Sequence, residues 1–321
     1  IQEKQMVTQK GANTFVVGIH GNFDDAQTGV KKMFGDKELA AQMDKAGYQF
    51  SSANSINIGR LVPQVVYYVY AYAKLLENGE IENGEKINVT VPTGNFGNIL
   101  AAFYAKQMGV PIDKLICASN DNKVLYDFFK TGVYDKNRPF ILTSSPSMDI
   151  LISSNLERLI YLSTGCDAEE TKKRMEELSK DGKYSVTGEM RARMADFVGG
   201  YADQAANAAE IKRLYDETGY MIDTHTGVAS CVYHNYVKET GDTKKTVIAS
   251  TASPYKFSRS VMEAIFGSEE GKGEFELIDE MEKASGVKIP QAIEEIRKAE
   301  IRHNRQCNPE EMEKTVSEIL Q

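Results

Sequence analysis

The most constraining feature of this chain is a strand signal that runs into a helix signal through a glycine-rich turn. Lys86-Ile-Asn-Val-Thr-Val-Pro92 is a short run rich in β-branched residues, and Ile99–Met108 is rich in helix formers. Between them stands Pro92-Thr-Gly-Asn-Phe-Gly-Asn98. The first N–H groups of a helix have no intrahelical acceptor, and the helix dipole places positive potential at the same end. A Gly/Asn turn there predicts an anion cradle; the plain alternative is an ordinary tight βα loop. The turn has neither the Gly-Lys-Ser/Thr of a Walker loop nor GxGxxG spacing.

Alternation of the same kind extends along the chain. Residues 1–11 read as the tail of a helix closed by Gly11. A strand at 14–20, helices to about 34 and at 37–45, and a strand at 48–51 follow. Pro63 suits the first turn of a helix over 64–78. A strand at 114–118 and helices at 123–130 and 149–162 continue the pattern. Helices are expected at 168–180, 188–199 and 203–218. Thr246–Ser250 reads as an inner strand buried on both faces, 267–274 as a flexible linker, and 289–302 and 308–320 as helices. Strand–helix alternation implies an α/β fold: a mostly parallel open sheet flanked by helices. Ligands of such sheets sit beyond the carboxyl ends of the strands, where residues 92–98 fall.

Composition narrows the function. Apolar residues make up 41% and charged residues 26% of 321, which is ordinary for a globular chain. A net charge of −8 gives no reason to expect nucleic acid or a membrane surface as partner. The longest apolar candidate, Val65–Leu76, falls short of the roughly 18 residues that span a bilayer. Cys117, Cys166, Cys231 and Cys307 form no CxxC pair, the pattern of reduced thiols and of a cytoplasmic protein. The chain starts at Ile1 without a Met or a signal pattern, so a fragment is expected.

Three further constellations accompany the turn. Ser52-Ala-Asn-Ser-Ile-Asn-Ile-Gly-Arg60 sets neutral polar side chains before an Arg that can fork onto two anionic oxygens; alone it reads better as a capping cluster with a solvated Arg. Ala249-Ser-Thr-Ala-Ser-Pro-Tyr-Lys-Phe257 puts hydroxyls at the end of a strand, or simply forms a turn before Pro254. Ile222-Asp-Thr-His-Thr-Gly-Val228 invites a metal reading, but capping by Thr224 or Thr226 is favoured.

Together these segments resemble the threonine synthase family, pyridoxal-phosphate enzymes of fold type II. Gly21-Asn-Phe-Asp-Asp25, Asn54-Ser-Ile-Asn57 with Arg60, Pro92–Asn98, Ser145-Pro-Ser-Met-Asp149, Asp223-Thr-His-Thr226 and Thr251-Ala-Ser-Pro254 follow in the family's order through nearly the whole chain. The resemblance implies that Gly94, Asn95, Phe96, Gly97 and Asn98 hold the phosphate of pyridoxal 5'-phosphate, and that Thr251 lies beside its pyridine nitrogen. Asn54 and Arg60 match positions that recognise the phosphate of O-phosphohomoserine. The implied activity is that of a lyase of threonine biosynthesis, releasing phosphate and adding water to give L-threonine.

It also implies domains: 1–52 as the remainder of a small αβ domain, with an incomplete sheet, and 53–321 as the large cofactor-binding domain with a helical insertion around 167–218. A monomer or homodimer is expected, with no metal. The lysine that forms a Schiff base matches nothing here; it is expected upstream of residue 1, so no catalytic residue is assigned. This chain alone is therefore expected to bind the cofactor weakly or not at all. Alternatives are a pyridoxal-phosphate phospholyase acting on a phosphorylated hydroxy-amino acid, and a non-catalytic anion-binding relative.

Overall fold

The strand β2 (Ile87–Pro92) is buried at every one of its positions, so both of its faces must be covered. A computed structural model describes residues 1–21 and 23–320 of the chain. The other described strands, in chain order, are β1 (Val17–Ile19), β3 (Ile112–Ser119), β4 (Val133–Asp135), β5 (Lys183–Ser185), β6 (Phe197–Tyr201), β7 (Thr246–Ile248) and β8 (Arg305–Cys307). Contacts divide the chain into two units, Ala53–Gly286 and Ile1–Ser52 with Val287–Gln321.

The larger unit is built on a sheet of order β6-β3-β2-β7 in which every pairing is parallel. Parallel strands covered on both faces read as near-continuous apolar runs rather than alternating ones. On one face Leu115 and Cys117 join Ile99, Leu100 and Phe103 of the Gly97–Gln107 helix. On the other, Ile116 and Ala118 join Val228 and Val232 of the Thr224–Thr240 helix. Each such aliphatic side chain contributes about 1.5–3 kcal/mol by leaving water.

The structure corrects several expectations in this unit. Residues 188–199 are not one helix: Gly188–Arg193 is helical, and β6 follows as an edge strand of the main sheet. The segment 167–218 is therefore not purely a helical insertion. Besides β6 it supplies β5, which pairs antiparallel with β4, stacking Tyr134 on Tyr184 at 5.4 Å. The strand at 246–250 is β7, three residues long, partly buried and at the sheet edge rather than inner. Its polar flanks, Lys244, Lys245 and Ser250, account for that. The helix expected over 149–162 begins only at Leu156, leaving residues 149–155 as loop. Residues 267–273 connect two helices inside the unit, and Arg259 and Lys272 tie them by ion pairs to Glu274, Glu269 and Glu280.

In the smaller unit β1 and β8 form a two-stranded parallel sheet. Cys307 and Met312 bury against Met33, Leu39 and Met43. Residues 287–321 thus group with 1–52, not with the residues from 53 onward as the 53–321 division expected; β8 finds its pairing partner in β1. Residues 48–51 form no strand.

Candidate functional site

β2 ends at Pro92, and Thr93 still donates its N–H to Ala118 O of β3 at 2.9 Å. The chain then leaves the sheet edge. Phe96 takes a left-handed conformation (φ +65°), and the Gly97–Gln107 helix starts behind it without a side-chain cap. The Phe96 ring holds this turn down by packing with Phe197 at 5.5 Å and Phe129 at 6.0 Å. Among the described residues, the N–H groups from Gly94 through Asn98 have no protein acceptor.

The carbonyls of the same turn are engaged. Gly94 O accepts from Ser153 Oγ at 2.7 Å, and Asn95 O accepts from the N–H and the Nδ2 of Asn155 at 3.1 and 3.0 Å. Acceptors are thus tied back to residues 153–155 while donors are left over. Unpaired backbone donors are costly when desolvated, so this sorting calls for an external acceptor. An anion with several oxygens, such as a phosphate, fits that donor set and the dipole behind it.

A Cβ on Gly94 would lie 2.4 Å from Ser147 O, and one on Gly97 would lie 2.4 Å from Ser55 Oγ. Their missing side chains make room for neighbouring protein segments, while the residue with positive φ is Phe96. The side chain of Asn98 is committed as well, accepting a hydrogen bond from the hydroxyl of Tyr68. Burial pushes that hydroxyl well above the usual tyrosine range.

Thr251 follows β7. Ile248 pairs with Thr90, and Ala249 N–H donates to Thr90 O at 2.9 Å, so the residues after β7 emerge at the same edge as the turn after β2. Thr251 is exposed, and its hydroxyl has no hydrogen-bond partner among the described residues. Ser253 caps the turn Pro254–Phe257, the structural role weighed for this segment. Lys256 lies over the ring of Phe257.

The segment from Asn54 to Arg60 reaches the cradle through Ser55, which packs on Gly97 and accepts from Asn155 Nδ2 at 2.9 Å. Asn54 accepts the N–H of Ile56, and Asn57 caps the short helix Ile58–Leu61. Arg60 is exposed and makes no ion pair among the described residues.

Asp223, rather than Thr224 or Thr226, caps the Thr224–Thr240 helix, accepting from the N–H groups of His225 and Thr226. Burial works against its charge, but hydrogen bonds from His225 and Thr226 outweigh it and hold the carboxyl below the usual range. Among the described residues no three His, Cys, Asp or Glu side chains gather as a metal-holding group. Of Gly21-Asn-Phe-Asp-Asp25, Asn22 lies outside the described residues.

Sequence reasoning did not single out the residues that anchor the cradle: Asn120, Asn122, Ser153 and Asn155. Asn120 and Asn122 donate to Asp149 at 2.7 and 3.1 Å, fixing the loop that carries Ser147. The signal available was Asn-Asp-Asn directly after a buried strand, at the edge where ligands bind.

Residues 226–306 match the family model described as threonine synthase, C-terminal. Threonine synthase-like 1 of Homo sapiens is 41% identical over 267 residues, covering 82% of this chain and 36% of that protein. Threonine synthase of Saccharomyces cerevisiae is 35% identical over 304 residues, covering 90% of this chain and 58% of that protein. The crystal structure of PLP-bound threonine synthase from Brucella melitensis has a TM-score of 0.81 at 32% identity, covering 99% of this chain and 61% of that one. The chain thus spans between about a third and three fifths of the length of these relatives. Its α/β fold with a parallel sheet is that of the fold type II threonine synthase structures.

Proposed function

The chain belongs to the threonine synthase family, and from that premise we propose that it carries the cofactor-phosphate cradle of a pyridoxal-phosphate lyase making L-threonine from O-phosphohomoserine and water. The observation behind this reading is the run of N–H groups from Gly94 to Asn98, free of protein acceptors at an uncapped helix start. These groups hold the phosphate of pyridoxal 5'-phosphate. The Thr251 hydroxyl faces the pyridine nitrogen, where a neutral partner leaves that nitrogen largely unprotonated. Asn54 and Arg60 take the phosphate of the substrate, Arg60 through a planar fork suited to two oxygens. When bound, the cofactor supplies a sink for carbanion charge. No lysine of residues 1–321 is assigned the Schiff-base role.

The full-length protein, incubated with cofactor and O-phosphohomoserine, is expected to release phosphate and L-threonine in equal amounts, followed by phosphorus and proton NMR. A second reading rests on the exposed Arg60, whose planar fork suits the leaving phosphate of either kind of substrate. In it the same pocket performs simple phosphate elimination from a phosphorylated hydroxy-amino acid. Phosphate released with a keto acid and no threonine selects that reading; no phosphate release from either substrate sinks both.

A further inference from the structure

We infer that the buried Asp223–His225–Thr226 knot is a positioning device of the cofactor site, holding both the Ser147 loop that seats the phosphate cradle and the segment that carries Thr251. The inference rests on the reading of Gly94–Asn98 and Thr251 as cofactor contacts. Asp223 and His225 are 1% and 2% exposed. Asp223 Oδ1 lies 3.0 Å from His225 Nδ1, and Ser147 N lies 3.2 Å from His225 Nε2. A carboxylate only accepts and a backbone N–H only donates. Both contacts are satisfied together by the neutral imidazole with its proton on Nδ1.

The two ends of this relay reach the site. Ser147 is the residue whose carbonyl oxygen would lie 2.4 Å from a Cβ on Gly94. Its loop is pinned on the far side by Asp149, which accepts from Asn120, Asn122 and both the N–H and hydroxyl of Thr143. On the other flank, the imidazole packs against Phe257 at 4.8 Å, and Thr226 Oγ1 lies 3.4 Å from Ser250 Oγ. Ser250 and Phe257 bracket Thr251. Helix capping does not require the imidazole, since Asp223 caps through backbone N–H groups alone. The contact from Nε2 to Ser147 therefore has a purpose separate from the helix.

The test uses two variants of the full-length holoenzyme. His225→Asn keeps a polar group facing Asp223 but is too short to reach Ser147. His225→Gln extends an amide to the Nε2 position. Equilibrium dialysis of pyridoxal 5'-phosphate is expected to show about tenfold weaker binding for His225→Asn, the scale of one buried hydrogen bond, and recovery to within about threefold for His225→Gln. At saturating cofactor, KM for the phosphorylated substrate stays unchanged in both. Wild-type affinity in His225→Asn, or equal losses in both variants, overturns the inference and leaves the cofactor reading standing. A wild-type protein that retains no cofactor overturns that reading itself. Should neither variant fold, nitrogen NMR of the wild type decides: a proton on His225 Nε2, or rapid amide exchange at Ser147, overturns the proposal.

Discussion

A methyl group on Gly94 would meet a backbone carbonyl, Ser147 O at 2.4 Å, whereas one on Gly97 would meet the Ser55 side chain. Backbone cannot step aside without moving the loop, while a side chain can be removed. Gly94→Ala is therefore expected to lower stability by about 1–3 kcal/mol, the usual cost of overpacking, and to weaken cofactor binding. Gly97→Ala has a remedy: Ser55→Gly in the same chain restores most of the loss, a coupling that a double-mutant cycle on Tm measures. Additive effects of Gly97→Ala and Ser55→Gly would show that the two residues do not share that space. At this scale the sequence was only partly legible. Residues 94–98 read correctly as a turn opening a helix. That Phe96 carries the positive φ, and that Asn98 bonds to Tyr68, depend on aromatic and hydroxyl neighbours far along the chain.

Among elements, the main misreading was β6, expected as helix. Its Gly199 and Gly200 are poor helix formers, and a Cβ on Gly200 would lie 2.4 Å from Val232 Cγ1. The glycines permit close packing of strand and helix, a tertiary requirement that local pattern does not display. Gly200→Ala is thus expected to destabilise the larger unit, with Val232→Ala partly compensating in urea melts. The Thr224–Thr240 helix gives a pH prediction. The folded Asp223 carboxyl titrates below its unfolded counterpart, so its contribution is present above the unfolded pKa, about 4, and is lost as pH falls through the folded value. Asp223→Asn should lower Tm at pH 7 and flatten its decline below about pH 4. An acid decline as steep as that of the wild type would remove Asp223 from the account.

At the scale of the molecule, two cores stand on different footing. The larger unit encloses a four-stranded sheet covered on both faces. The smaller has a two-stranded sheet and a cluster in which Cys307, Met312, Val316 and Leu320 come from the far end of the chain. Small cores are marginal, because little surface leaves water for the entropy lost. Residues 1–52 therefore depend on residues 305–320: without them β1 loses β8, and each missing side chain forfeits about 1.5–3 kcal/mol of burial. Joining segments nearly three hundred residues apart is what local periodicity could not show, so residues 287–321 read as part of the wrong domain. Removing residues 305–321 should abolish amide protection at Val17–Ile19 and in the helix Lys37–Lys45, while Thr90, Val91 and Cys117 in β2 and β3 keep theirs. Hydrogen exchange followed by mass spectrometry resolves both groups in one experiment. Loss of protection at β2 and β3 in step with β1 would mean that the chain unfolds as one cooperative body.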